Sequence, residues 1–267
     1  MINLKKLLRS TLIVLISVLV GLLICESILR IKHMFVINYD IEMWKYAKKL
    51  KVIDPNFKIN HTHLNNKSEI LQGVEITINN VGQRDININN EILNRYEKSF
   101  LILGSSVALG WGVENEKVFS SLLNQYSKLD NKNWLFVNGG VGNYNTQRYV
   151  NNYLENWSKL KFTDLIIHFF INDTELLEKK NTNFFTRNTH IGVVVWKLFN
   201  TYKSELKNQN IETYYKEIYQ ENFEGFIIAK DELKKLKKHC LNKNINCHII
   251  FMPDVNQIEN LDLYFAS

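Results

Sequence analysis

The sequence is poor in residues that break or bend a chain. Two prolines and 11 glycines in 267 residues exclude a collagen-like or linker-rich chain. Cysteine is sparse. Cys25 lies in an apolar run, and Cys240 and Cys247 flank a predicted helix end and strand start. For that pair a disulfide in an oxidising compartment and two unpaired thiols both stay open. No metal-ligand spacing occurs, and neither a metal nor an organic cofactor is expected. No basic stripe with interleaved aromatics is visible, so nucleic acid is not an expected partner. What is present is ordinary for a folded chain: 45% hydrophobic and 22% charged residues, enough for one large domain or two small ones.

The formal net charge of +6 is unevenly placed. Residues 1–33 carry Lys5, Lys6, Arg9, Arg30 and Lys32 against Glu26, a net of +4; the remaining 28 basic and 26 acidic side chains leave only +2. The excess therefore flanks the uncharged run at 11–25 and does not form a surface for a polyanion.

Fifteen helical residues rise about 22 Å, short of a hydrocarbon core of about 30 Å. Extension from Ser10 to Leu29 reaches that span and places Glu26 near the interface. The run ends in Leu22, Leu23, Ile24, Cys25 and Glu26, with bulky residues where signal-peptidase cleavage or lipid attachment at Cys25 needs small ones. The reading is an uncleaved single-span anchor over 1–33. Lys5, Lys6 and Arg9 favour a cytoplasmic N-terminus, while Lys45, Lys48, Lys49 and Lys51 lie near the other end, so charge alone says little about orientation.

Residues 34–99 are polar and irregular with one alternating stretch at 74–78, a linker and small strand-containing preface. From residue 100 the pattern changes. Short apolar runs at 100–103, 134–137, 165–171 and 247–252 read as buried strands. Helical spacing recurs at 116–126, 146–160 and 226–240. Alternating strands and helices predict a parallel sheet covered on both faces, an α/β domain over 100–267. Such sheets bind ligands beyond the carboxyl ends of their strands.

Those ends carry one constellation. After the first strand come Gly104, Ser105, Ser106 and a glycine pair at 110 and 112. After the second come Asn138, Gly139, Gly140, Val141, Gly142 and Asn143. After the third come Asn172 and Asp173. A serine beyond a tight glycine turn, with separate N–H and amide donors, is what acyl transfer requires. Each piece has a plainer use. Gly-Ser-Ser and Asn-Asp also cap helices, and the glycine-rich turn lacks the G-x-G-x-x-G spacing and the lysine of a phosphate cradle. It is the three in order, each after a strand, that point to chemistry.

These pieces, with Asn80, Val81, Gly82, Gln83, Arg84 and Asp85 upstream, resemble the SGNH/GDSL hydrolases, in particular bacterial members with an N-terminal membrane anchor. The resemblance implies a flavodoxin-like three-layer α/β/α sandwich and hydrolysis or transfer of an ester-linked acyl group. It places the nucleophile at Ser106 and the oxyanion donors at the Ser106 N–H, at or near Gly140 and Asn143, and at the Asn172 amide. Ser105 stands where the eponymous block has Asp. The last block of the family, an Asp paired with a His after the fourth strand, is missing: 15 residues follow Met252 and none is His.

No other histidine is an evident substitute. His168 and His248 lie inside strands and read as core residues, His61, His63 and His239 as surface residues, and His190 sits in the helical insert. Without a base a serine hydroxyl is a poor nucleophile at neutral pH. The chain is therefore expected to be nearly inactive as it stands, its C-terminal part missing. The expected function is a serine esterase of acylated envelope glycans or lipids, anchored in the inner membrane and facing the periplasm. The alternatives are a non-catalytic binding module of the same fold and an O-acyltransferase using the same serine. The pocket walls are expected from the aromatic-rich insert at 178–222.

Overall fold

The computed structural model describes residues 4–177, 184–205 and 211–252. The chain divides into two compact units, 1–45 with 180–208, and 46–179 with 209–267.

The first unit is helical. Helix α1 (Leu4–Phe35) carries the apolar run, and α2 (Tyr39–Lys49) opens here and ends in the second unit. Leu8–Phe35 is long and apolar enough to cross a membrane, and its side chains are exposed, as lipid-facing ones are; a signal sequence passes the same test. Glu26 does not face solvent alone. Its carboxylate pairs with Arg30 and accepts the first N–H groups of a later helix, from His190 and Ile191, each at 3.0 Å. A carboxylate on orphan N–H groups is a stabilising cap.

The second unit contains the sheet and most of the preface. The preface forms two antiparallel ribbons, β1 (Lys51–Ile53) with β2 (His61–His63), and β3 (Lys67–Leu71) with β4 (Val74–Ile78), followed by the short helix α3 (Asn90–Leu93). It is more ordered than a linker, because Tyr46, Leu50, Leu71, Ile76 and Ile78 bury themselves against Leu109 of the main domain.

The main domain runs β5 (Lys98–Gly104), α4 (Ser106–Leu109), α5 (Phe119–Leu129), β6 (Trp134–Gly140), α6 (Thr146–Asn152) and β7 (Asp164–Phe170). After α7 (Phe184–Asn188) and α8 (His190–Glu205), which belong to the first unit, come α9 (Ile211–Ile218), α10 (Glu224–Lys243) and β8 (Asn246–Met252). The four main strands are parallel in the order β6-β5-β7-β8. Alternate residues of β5 point to opposite faces. Leu101 and Leu103 pack with Tyr149, Tyr153 and Leu236 on one face, and Phe100 and Ile102 with Phe119 and Leu123 on the other. Helices α6 and α10 thus cover one face and α4 and α5 the other, the three-layer α/β/α arrangement that the strand pattern predicts.

Two details differ from the sequence reading, and one alternative it left open is decided. The helix expected over 146–160 ends at Asn152 and continues as a π-helical turn, Tyr153–Trp157. The helix expected from residue 116 begins with a 3₁₀ turn, Asn115–Lys117, before α5. Cys240 and Cys247 are joined as a disulfide linking α10 to β8. Part of the aromatic-rich insert, 178–183 and 206–210, lies outside the described residues, as does 253–267. In the first unit Phe184, Phe199 and Tyr202 of that insert are exposed.

Candidate active site

Strand register brings the three turns level. Gly104 of β5 is paired with Gly140 of β6 on one side and His168 of β7 on the other. Because β5 lies between the two strands that follow it, connections leave its carboxyl end in opposite directions. That is the switch point where sheets of this kind open a crevice.

The first turn needs glycine for close packing. A Cβ at Gly104 would lie 2.8 Å from the Ala108 Cβ and 2.9 Å from the His168 carbonyl. Ser105 is buried and extended and makes no side-chain cap. Ser106 opens α4, which stops at Gly110 in the left-handed region, φ 77°. Ser106 is half-buried, and among the described residues neither its hydroxyl nor its N–H makes a hydrogen bond.

The second turn is pressed against the first. A Cβ at Gly140 would sit 2.2 Å from the Leu109 nitrogen, so the backbone of α4 rests on a site that only glycine leaves open. The Gly140 N–H donates to Asn138 Oδ1 at 2.9 Å. Gly140 therefore enters the site as a packing residue, with its N–H engaged. The Gly142 N–H is likewise taken, by the Tyr46 hydroxyl at 2.9 Å. Asn143 differs. It adopts φ 63°, is exposed, and its N–H has no partner among the described residues. Asn tolerates the left-handed region better than most residues.

The third turn is laced to the second. Thr146 donates to the Asp173 carbonyl through both its N–H (3.0 Å) and its hydroxyl (2.9 Å). Asp173 is buried and accepts the Phe170 N–H; burial pushes its carboxyl well above the usual range. Asn172 beside it is half-buried, and its side-chain amide makes no hydrogen bond among the described residues. Ser106, Asn143 and Asn172 thus end three turns joined to one another, each with a polar group left for a ligand.

The upstream Asn80–Asp85 run acquires a role here that its sequence alone did not assign. Arg84 donates to the carbonyls of Leu109, Gly110 and Val113 and to Asn115 Oδ1, fixing the loop that follows α4. Asp85 accepts the Asn138 N–H at 2.9 Å, and burial raises its pKa to about 6.

The histidines are distributed differently from the sequence reading. His61 and His63 are buried on one face of β2, where burial lowers their pKa to about 2 and about 3. An alternating His-x-His strand was the available signal, since residues two apart share a face. His248 lies on β8 but is exposed, its Nε2 2.9 Å from Asp164 Oδ1. His168 is buried beneath α4 against Phe119. His190 belongs to the first unit. Among the described residues no histidine hydrogen-bonds to Ser106, and no three His, Cys, Asp or Glu side chains are grouped to hold a metal.

No protein-family model and no curated protein matches the chain. Among solved structures it is similar to AlinE4, an SGNH-hydrolase family esterase, at 19% identity and a TM-score of 0.26 over 29% of this chain and 42% of that one. It is also similar to a protein from Desulfitobacterium hafniense DCB-2 described as lipolytic and of the G-D-S-L family. There the identity is 14% and the TM-score 0.26, over 57% of this chain and 77% of that one. The chain thus spans less than half the length of AlinE4, and a TM-score of 0.26 is too low to bear on function.

Proposed function

We propose that the chain is the membrane-anchored part of a serine ester hydrolase of the SGNH/GDSL type. One observation carries the reading: the hydroxyl of Ser106, the N–H of Asn143 and the amide of Asn172 are all unengaged among the described residues, on three mutually bonded turns at the switch point of the sheet. In this reading Ser106 Oγ attacks an ester carbonyl, its proton passing to a base. The Ser106 N–H, the Asn143 N–H and the Asn172 amide then hold the oxyanion that develops. Collapse of the tetrahedral intermediate expels the alcohol, and water or a glycan hydroxyl takes up the acyl group. This reading assigns the base to no histidine among the described residues, none of which hydrogen-bonds to Ser106. The proposed substrate is an acylated envelope glycan or lipid, and the proposed location is the periplasmic side of the inner membrane. The apolar helix α1 and the Cys240–Cys247 disulfide support that location, since disulfides persist in oxidising compartments.

The test uses the product of the whole reading frame in detergent, with fluorophosphonate labelling and hydrolysis of p-nitrophenyl acetate. Label on Ser106 and loss of turnover in Ser106→Ala are expected. An intact protein that takes no label at Ser106 overturns the reading. That result would favour the second reading, a non-catalytic binding module, which the lack of a histidine at Ser106 motivates. Product analysis with a glycan acceptor separates transfer from hydrolysis.

A further inference from the structure

The preface places three polar side chains on the two peptides that meet at Gly142, with a fourth, His63, behind Tyr46. Lys51 Nζ donates to the Gly142 carbonyl at 2.6 Å, and His61 Nε2 lies 3.1 Å from the same oxygen. The Tyr46 hydroxyl accepts the Gly142 N–H at 2.9 Å and lies 2.6 Å from His63 Nε2. His63 Nδ1 is 2.9 Å from the Gly82 carbonyl. The Tyr46 ring also underlies Lys51, whose Nζ is 4.2 Å from its centroid, and presses on Gly142, where a Cβ would meet Cε1 at 2.6 Å.

The partners assign the protons. A carbonyl only accepts, so His63 carries its proton on Nδ1 and His61 on Nε2; the Asn60 amide, 3.2 Å from His61 Nδ1, then presents its NH2 to that nitrogen. His63 Nε2 is then an acceptor, the Tyr46 hydroxyl donates to it, and the tyrosine oxygen is left to receive the Gly142 N–H. Every group in the chain from Gly142 through Tyr46 and His63 to Gly82 has one consistent role.

We infer that Lys51, His61 and Tyr46 are positioning residues for the Asn143 N–H: Lys51 and His61 hold the Gly142–Asn143 peptide by its oxygen, and Tyr46 holds the preceding Val141–Gly142 peptide by its N–H. This rests on the esterase reading. The physical link is planarity: the Gly142 oxygen and the Asn143 N–H belong to one rigid unit and point in opposite directions. Two donors on that oxygen therefore set the direction of the N–H across the peptide. Donors on the oxygen also polarise the amide, which makes its N–H a better donor. Arg148 Nη1 holds the next carbonyl, that of Asn143, at 2.7 Å, so both sides of the residue are fixed. An oxyanion donor contributes only when it is already in place, and displacement by about 1 Å costs on the order of 100-fold in rate.

A purely structural network would also hold the preface against the turn, so the test separates the two roles. The whole protein is compared with its Tyr46→Phe and Lys51→Met variants, and with Cys247→Ser as a variant destabilised far from the turn. For the first two, kcat on p-nitrophenyl acetate falls about 10- to 100-fold with KM within about twofold, under conditions where all variants are folded. Cys247→Ser keeps its kcat. Amide exchange at Gly142, followed by NMR, quickens in Tyr46→Phe. Unchanged exchange overturns the clamp whatever the activity. Faster exchange with wild-type kcat overturns its catalytic meaning and leaves the esterase reading standing. If the wild-type protein turns over no faster than Ser106→Ala, the esterase reading falls and the positioning role with it, while the exchange arm still reads the clamp by itself.

Discussion

Arg84 donates through Nη1 to the Gly110 carbonyl at 2.7 Å, so a side chain 26 residues upstream holds the far end of the helix that Ser106 begins. The same guanidinium reaches the carbonyls of Leu109 and Val113; Leu109 also accepts from Asn138 Nδ2 and Gly110 from the Val113 N–H. Replacing Arg84 with Met keeps the apolar stem, removes the donor on the Val113 carbonyl and on Asn115 Oδ1, and leaves Leu109 and Gly110 with one donor each. Buried acceptors left unpaired cost about 1–3 kcal/mol each before relaxation. Urea unfolding of Arg84→Met is expected to show a loss of about 2 kcal/mol. A loss below about 1 kcal/mol would show that the fan of bonds contributes little.

Gly140→Ala tests the contact between the first two turns. The added methyl would lie 2.2 Å from the Leu109 nitrogen and 2.6 Å from the Ala108 carbonyl carbon. Backbone, unlike a flexible side chain, cannot step aside without moving α4 and Ser106 with it. A destabilisation of about 1–3 kcal/mol is expected, together with slower fluorophosphonate labelling of Ser106. An unchanged melting temperature would mean that α4 does not rest on Gly140.

The buried histidines give a pH signature. His63 is held neutral in the folded chain with a pKa near 3, whereas an unfolded histidine takes a proton near pH 6.5. Below that pH the unfolded state binds the extra proton, so stability drops as pH falls from about 6.5 towards 3. Asp85 acts oppositely: its folded pKa near 6 exceeds the unfolded value, so its contribution weakens as pH rises through 4 to 6. The difference between proteins isolates one group. Between pH 4 and 6, the stability of His63→Gln should depend on pH less steeply than wild type by about 1.4 kcal/mol per pH unit. Equal slopes would show that His63 titrates normally in the folded chain.

Reducing the Cys240–Cys247 pair removes a cross-link between α10 and the edge strand β8. For so short a loop the expected loss is about 2–3 kcal/mol. Guanidinium unfolding with and without dithiothreitol measures it, and Cys247→Ser should match the reduced protein. Identical midpoints would show that the thiols are unpaired in solution.

Much of the main domain was legible because its signals are local. The apolar runs that became β5, β6, β7 and β8 were read to within a few residues, since buried parallel strands are short apolar blocks whatever surrounds them. The spacing of Tyr149, Val150, Tyr153 and Trp157 marked the buried face of α6 and the turn after it, and all four are buried. The switch from α-helical to π-helical bonding within that stretch leaves the face apolar and so leaves no mark in the pattern.

Burial within the preface was not legible, for a different reason. Its buried residues include Tyr46 and Arg84, and also His61 and His63, which read as surface residues. They are buried because each polar atom finds a partner from a distant segment: Gly142 for Tyr46 and His61, Gly82 for His63, and the carbonyls after α4 for Arg84. A hydrogen-bond partner 80 residues away has no local signature.

By itself the sequence determined the order of the strands along the chain, the apolar helix at its start, and the three polar turns in which Ser106, Asn143 and Asn172 lie. Those follow from hydrophobic periodicity and from turn residues, which act over a few positions. Only the tertiary structure decided which N–H groups of the second turn are left open. Gly140 and Gly142 have theirs engaged by Asn138 and Tyr46, and Asn143 alone of the three turns its own outward. An oxyanion donor is defined by what does not already bind it, and that is set by neighbours folded in from elsewhere in the chain.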